Sequence, residues 1–373
     1  MKIDINKLTL KQRDNLSAAL AAYEKKSVIS SVRPVALYIE LTKNCIARCE
    51  FCHADWNNDP QYTMSNETFE YLKREYVPYA TYVDLRGYGE SLMLDNFDSY
   101  VEQISPLCPH IRLTTTLGCG NKRALQSLVD HNVFISVSFD AADKKVYEST
   151  RKGICYDTVI RNMTFLSKEI QLKHGSLSGM MRIGIIPLQA HNLPYVDGVI
   201  DLAAQLGITE IRILPLGSHQ FDLNTLFYHK RETVVTLLKA IKKARQNGVA
   251  LQFGASLFRD LRVDEFATDR CCKPWLYSVI NHEGRILYCD WHISPRDKSD
   301  FIGFVGKSDD SAWNGDKAKQ VRSAHVSKSG LSWRCKSCYR LGKYSDHEHE
   351  LDPQFVKWLV TDKEMEQRLL AWR

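Results

Sequence analysis

The sequence predicts an α/β protein: a partial (β/α)6 TIM-like barrel followed by a small C-terminal Cys-rich α+β domain. Two observations carry this prediction. Six short, β-branched apolar segments alternate with longer helical patterns between residues 35 and 248. After about residue 250 the alternation stops, and the stretch 265–345 is short-stranded, rich in Cys, Trp, Gly and Ser, and holds five of the eleven cysteines. Serial β-then-α units imply a parallel sheet with right-handed crossovers. Six units are too few to close an eight-stranded barrel, so the sheet is expected open and curved, with its binding site at the carboxyl ends of the strands.

The elements follow in order. Residues 6–25 read as an amphipathic helix. The strands are VALYIEL (35–41), TYVDL (81–85), IRLTT (111–115), VFISVSF (133–139), MRIGII (181–186) and EIRIL (210–214). Helices are expected around 66–78, 95–105, 121–131, 156–170 and 196–206, with RETVVTLLKAIKKARQNG after the last strand. The resulting division is an N-terminal helical extension (1–32), the barrel (33–250), the Cys-rich domain (251–345) and a helical tail (346–373).

Composition narrows the class. The 373 residues are 44% hydrophobic and 25% charged, ordinary for a globular chain. A net charge of +6 is mild and argues against nucleic acid as the partner. MKIDINKLTL lacks the apolar core of a secretory signal, and no run approaches the roughly 18–20 apolar residues of a membrane span, so a cytoplasmic location is expected. Eleven cysteines in a reducing compartment point to metal or redox chemistry, not disulfides.

The stretch ELTKNCIARCEFCHADW (40–56) puts Cys45, Cys49 and Cys52 in the loop after the first strand. Three thiolates can hold three corners of a [4Fe–4S] cluster and leave one iron without a protein ligand. The bland alternative is a three-cysteine fragment of a zinc site. The spacing, with the aromatic Phe51 before the last cysteine, resembles the radical S-adenosylmethionine (SAM) superfamily, and the resemblance extends over roughly residues 33–245. It implies that the amino and carboxylate groups of SAM chelate the open iron. One electron then splits a carbon–sulfur bond, and a 5′-deoxyadenosyl radical takes a hydrogen atom from the substrate. It also implies that Phe51 flanks the adenine.

Further positions follow from the same resemblance. In LRGYGES (85–91), Gly87 and Gly89 let backbone approach a ligand and Glu90 accepts from the SAM ammonium; the family's Gly-Gly-Glu-Pro stretch is matched here with Tyr88 for one glycine and Ser91 for proline. Ser138, in SVSFD, is implied to contact the SAM ribose or carboxylate, and Arg151 to grip the carboxylate bidentately. A capping role for Asp140 and a solvated Arg151 are the alternatives. Ile185 and Leu214 face either adenine or core. Tyr88, Gln189, His191 and His219 are candidate pocket residues, and Cys119, between two glycines after the third strand, is a candidate hydrogen-atom donor.

A second cysteine set comprises Cys271, Cys272, Cys289, Cys335 and Cys338. By spacing alone it is a zinc ribbon or a fully ligated iron–sulfur cluster. The order of cysteine, glycine (Gly284), cysteine and a final Cys-x-x-Cys, with AWNGDKAKQVRSAH in the gap, resembles the twitch form of the SPASM extension. That implies one auxiliary [4Fe–4S] cluster on Cys271, Cys289, Cys335 and Cys338, with Cys272 competing for the first place. The implied reaction is oxidation of a small hydroxylated metabolite, a sugar or aminocyclitol, with the auxiliary cluster accepting an electron. Flavodoxin or ferredoxin would be the electron donor. Alternatives are an epimerase or ribosomal-peptide-modifying enzyme, and a non-enzymatic zinc module.

Overall fold

A computed structural model describes residues 3–30, 32–52, 58–215, 223–254, 271–289, 301–306, 312–332, 335 and 359–371. Its strands are β1 (Ala36–Ile39), β2 (Arg48–Cys49), β3 (Tyr82–Asp84), β4 (Ile111–Thr115), β5 (Phe134–Ser138), β6 (Arg151–Lys152), β7 (Met181–Leu188), β8 (Glu210–Pro215), β9 (Ala250–Gly254), β10 (Tyr277–Ile280), β11 (Arg285–Leu287), β12 (Gly303–Phe304) and β13 (Leu359–Thr361). The helices are α1 (Leu10–Glu24), α2 (Asn66–Glu75), α3 (Phe97–Ile104), α4 (Lys122–Asp130), α5 (Lys144–Thr150), α6 (Tyr156–His174), α7 (Val196–Gln205), α8 (Lys230–Gln246), α9 (Lys273–Leu276), α10 (Asp316–Ser327) and α11 (Asp362–Ala371). No helix among the described residues is long and apolar enough to cross a membrane.

One sheet runs β12-β11-β10-β1-β3-β4-β5-β7-β8-β9-β13. Every pair from β10 to β9 is parallel, and β11, β12 and β13 join antiparallel at the two ends. All six expected strands are present in the expected order, as an open mixed α/β sheet. Two more parallel strands were not foreseen. β9 carries the sheet past residue 250, and β10 pairs in parallel with β1 from inside the Cys-rich region. The VALQFG stretch that forms β9 is too short to stand out from the end of the helix before it. The tail contributes β13 ahead of its helix, pairing with β9.

Local chemistry accounts for the helix boundaries. Thr9 caps α1, accepting from Gln12 N, while the Gln12 side chain accepts from Thr9 N. Ser65, Asn121 and Asp143 cap α2, α4 and α5, each side chain accepting from the backbone N–H three residues on. Gly175 ends α6 in the left-handed region at φ 70°.

The strand period of two splits the sheet into unlike faces. Leu37, Val83, Leu113, Ile135, Ile183 and Ile211 form the apolar core with Phe69, Leu128, Leu166 and Leu237 of the helices. The opposite positions carry Tyr38, Asp84, Arg112, Ser136, Arg182 and Arg212, all buried. Three guanidiniums thus lie inside the barrel. Arg112 Nε stands 3.5 Å from Asp84 Oδ2, Arg182 Nε donates to Ser136 Oγ at 3.0 Å, and Arg212 Nη2 donates to Gln252 Oε1 at 3.3 Å.

Candidate active site

Loops at the carboxyl ends of β1, β3, β4, β5 and β7 meet at one end of the barrel. The loop after β1 carries Cys45, Cys49 and Cys52, none of them in a disulfide. Cys49 lies in β2, which pairs antiparallel with β6, so the cysteine loop is zipped to residues 151–152. Gly153 continues that contact at φ +89°. A Cβ there would lie 2.5 Å from the Ile46 carbonyl oxygen, so glycine is required on both counts.

The loop after β3 closes the other side. A Cβ on Gly89 would lie 2.2 Å from the Thr42 carbonyl oxygen, and one on Gly87 would meet the Glu40 side chain at 2.2 Å. The close approach these glycines allow is therefore to the cysteine loop itself. Glu90 N donates to Asn44 O at 2.8 Å, and Tyr88 N to Glu40 Oε2 at 2.8 Å. Glu40 also meets His282 Nδ1 at 2.8 Å, linking this loop to the turn between β10 and β11.

Glu90 is buried, and its own chain supplies its donors. Thr115 Oγ1 bonds Oε1 at 2.8 Å, and Thr116 N and Oγ1 each bond Oε2 at 2.8 Å. Burial pushes its carboxyl upward while these bonds pull it back. Its charge reaches Cys45 and Cys119. Burial, followed by Glu90, raises both thiols, Cys45 to about 12. The next loop thus places Cys119 within electrostatic reach of Cys45, half-buried beside the cysteine loop. There Gly118 packs so closely on Ile154 that a Cβ would lie 2.6 Å from its Cδ1.

Arg151 is 5% exposed and faces Cys49. Its Nε donates to Asp140 Oδ2 at 2.6 Å, and its Nη2 to Asp140 Oδ1 at 3.2 Å and to Ile186 O at 2.8 Å. Its Nη1 donates to Cys49 Sγ at 3.7 Å. The bidentate carboxylate expected of Arg151 is thus found within the chain, in Asp140. The guanidinium also lies 5.2 Å from the centre of the Phe51 ring. Asp140 raises Arg151 above its ordinary range. Ser138 is half-buried at the end of β5, beside this pair.

Of the pocket candidates, His191 bonds Thr150 Oγ1 at 2.8 Å and Asn224 at 2.7 Å, next to Arg151. Gln189 is buried, its backbone N–H donating to Asn192 Oδ1 at 2.7 Å. Ile185 belongs to the apolar core on the helical face, and Leu214 is half-buried on the opposite face. His219 lies outside the described residues.

The donor set fits an iron–sulfur cluster. Three cysteines, none in a disulfide, share one loop. Burial raises Cys45 and Cys49, and Arg151 pulls Cys49 back. Buried thiols of this kind ionise when a cation arrives to take their charge. Among the described residues no three His, Cys, Asp or Glu side chains converge on a single ion. A cubane instead takes its cysteines at separate irons.

In the Cys-rich region Cys289 and Cys335 are buried. Tyr288 Oη lies 3.8 Å and His325 Nε2 3.6 Å from Cys335 Sγ. Cys272 is 1% exposed in an apolar cluster with Tyr23, Trp275 and Tyr277, whereas Cys271 is half-buried. Cys338 lies outside the described residues. Sequence reasoning missed Glu40, Thr115, Thr116, Gly153 and His282. Of these only Gly153 left a signal, a glycine directly after Arg151 and Lys152.

Residues 39–181 match the sequence model of the Radical SAM superfamily. No curated protein sequence matches the chain closely enough to count as a relative. Among solved structures, Streptococcus suis SuiB bound to S-adenosylmethionine is similar at TM-score 0.61 and 17% identity, over 88% of this chain and 75% of that one. SuiB bound to precursor peptide SuiA gives TM-score 0.60 and 16% identity over 83% and 71%. Native anSMEcpe with bound AdoMet gives TM-score 0.61 and 14% identity over 91% and 95%. At these identities the likeness is one of fold.

Proposed function

We propose that this chain is a radical SAM enzyme: Cys45, Cys49 and Cys52 hold a [4Fe–4S] cluster beside a SAM pocket at the carboxyl ends of the strands. The observation that carries it is the three-thiol loop, placed at the strand ends within the segment that matches the superfamily. Cluster and SAM together supply a carbon-centred radical able to take a hydrogen atom from an unactivated position.

The chain's own residues do the rest. The β2–β6 ladder and the Gly89 and Gly153 contacts hold the cysteine loop in shape. Ser138 and Phe51 line the SAM pocket beside that loop. Glu90, fixed by Thr115 and Thr116, keeps a negative charge where the SAM ammonium is expected, at the edge of its own hydrogen-bond network. Walls of buried side chains exclude water that would quench a radical. Cys119, within electrostatic reach of Cys45, is the residue we assign to return a hydrogen atom.

The Cys-rich region, proposed to span 251–345, holds one auxiliary cluster on Cys271, Cys289, Cys335 and Cys338. The apolar packing of Cys272 favours Cys271 as first ligand. For the substrate we favour a peptide, since the structurally similar SuiB binds precursor peptide SuiA. Oxidation of a small hydroxylated metabolite is the second possibility, and it rests on the twitch-like spacing alone.

The test is anaerobic reconstitution with iron, sulfide and SAM under a low-potential donor of the flavodoxin class, following 5′-deoxyadenosine. The wild type releases the nucleoside. Each of C45S, C49S and C52S abolishes it and loses about four irons per chain. C335S retains nucleoside release and loses product turnover. A wild type that holds iron but never releases nucleoside overturns the proposal.

A further inference from the structure

Arg151 meets Cys49 twice: through the backbone ladder of β2 and β6, and through Nη1 at 3.7 Å from Sγ. The guanidinium cannot turn away. Asp140 grips it at 2.6 and 3.2 Å, and the Ile186 carbonyl takes a further Nη2 proton at 2.8 Å. Asp140 is fixed in turn by Ile186 N at 2.9 Å. Only one N–H of the fork, on Nη1, is left for anything else. The Phe51 ring covers the cation, keeping it out of water. By contrast, the neighbouring Lys152–Glu50 pair, at 2.7 Å, is exposed and screened.

We propose that Arg151, locked by Asp140, is a positioning residue for the cluster: its hydrogen bond holds the Cys49 sulfur and raises the potential at which the cluster accepts an electron. The proposal rests on Cys45, Cys49 and Cys52 being the ligands. One electron enters from an external low-potential donor, and the site becomes more negative by one charge. A buried cation bonded to a ligand sulfur favours that more negative state. Asp140 neutralises part of the cation and so moderates the effect. The two residues therefore act with opposite sign, which a purely structural role would not produce.

The experiment is a redox titration of the reconstituted chain without SAM, read by the part of the reduced protein's electron paramagnetic resonance signal that C49S abolishes, which sets the cluster beside Arg151 apart from the auxiliary one. R151M titrates lower than wild type by at least about 59 mV, a tenfold change in the one-electron equilibrium. R151K, which keeps the charge but loses the fork, falls between them. D140N titrates above wild type. Loss of iron in R151M with retention in R151K also supports the holding role. The proposal is overturned if R151M keeps its iron and shifts less than tenfold, or if D140N titrates at or below wild type. C49S separates the premise from the inference: if it keeps full iron and an unchanged signal, the ligand assignment itself has failed.

Discussion

At the scale of single residues, the site is built by steric permission as much as by chemistry. Gly89 has an ordinary φ, yet an added Cβ would overlap the Thr42 carbonyl at 2.2 Å. Backbone cannot yield as a side-chain tip can. G89A is therefore expected to lose at least the 1–3 kcal/mol or so typical of overpacking, and to bind less iron after reconstitution. Urea unfolding and iron analysis read the two effects separately. Unchanged stability with full iron would exclude a rigid contact between these two loops. Short local patterns put Cys45, Cys49, Cys52, Gly87, Gly89, Glu90 and Arg151 at the strand ends, though the partners of Gly87, Gly89 and Arg151 are the chain's own. Asp140's role as the partner of Arg151 was not legible, because the two are joined across 11 residues by folding alone. Thr115 and Thr116 read simply as strand end; only the structure turns their hydroxyls onto Glu90.

At the scale of elements, two contacts tie distant segments to the barrel. The first is at the N-terminus, where Asp4 N lies 3.2 Å from His110 Nε2. Burial pushes His110 below its ordinary value. As pH falls below about 6.5, the unfolded chain takes up this proton before the folded one does, so stability drops with pH in that window. H110Q should lose less stability than wild type between pH 7.5 and 5.5 in urea titrations, and equal losses would exclude His110 as the acid-sensitive group. The second contact is His282 with Glu40. H282A removes a partner from a buried carboxylate, which costs about 1–3 kcal/mol, and it loosens the loop bearing Tyr88. Its KM for SAM is expected to rise with iron content intact; an unchanged KM would sever that link. Long helices and β-branched strands were legible from periodicity. β2 and β6, two residues each, were not, since a pair that short has no period to read.

At the scale of the whole molecule, the sheet's two faces follow different rules. The helical face is ordinary apolar packing, which alternation in the sequence foretold. The inner face buries Arg112, Arg182 and Arg212, and burial together with neighbouring guanidiniums disfavours the charge on Arg182. R182M relieves that crowding but also strips Glu210 Oε1, 3.4 Å away, and Ser136 of their partner, so it should cost less than D84N, which strips Arg112 of a buried acid at about 3–5 kcal/mol. Chemical denaturation decides, and a loss in R182M as large as in D84N would refute the ranking. Strands recurring every 22 to 48 residues announced the parallel order, but nothing local announced that β10 would return to β1. That return has a practical outcome. β10 lies along the very strand that delivers the cysteine loop, with Glu40 N bonded to Ile280 O at 2.9 Å. Trimming the chain to a minimal barrel would bare the flank of β1 and strand Glu40 without its histidine, so the barrel cannot be excised intact from the segment that follows it.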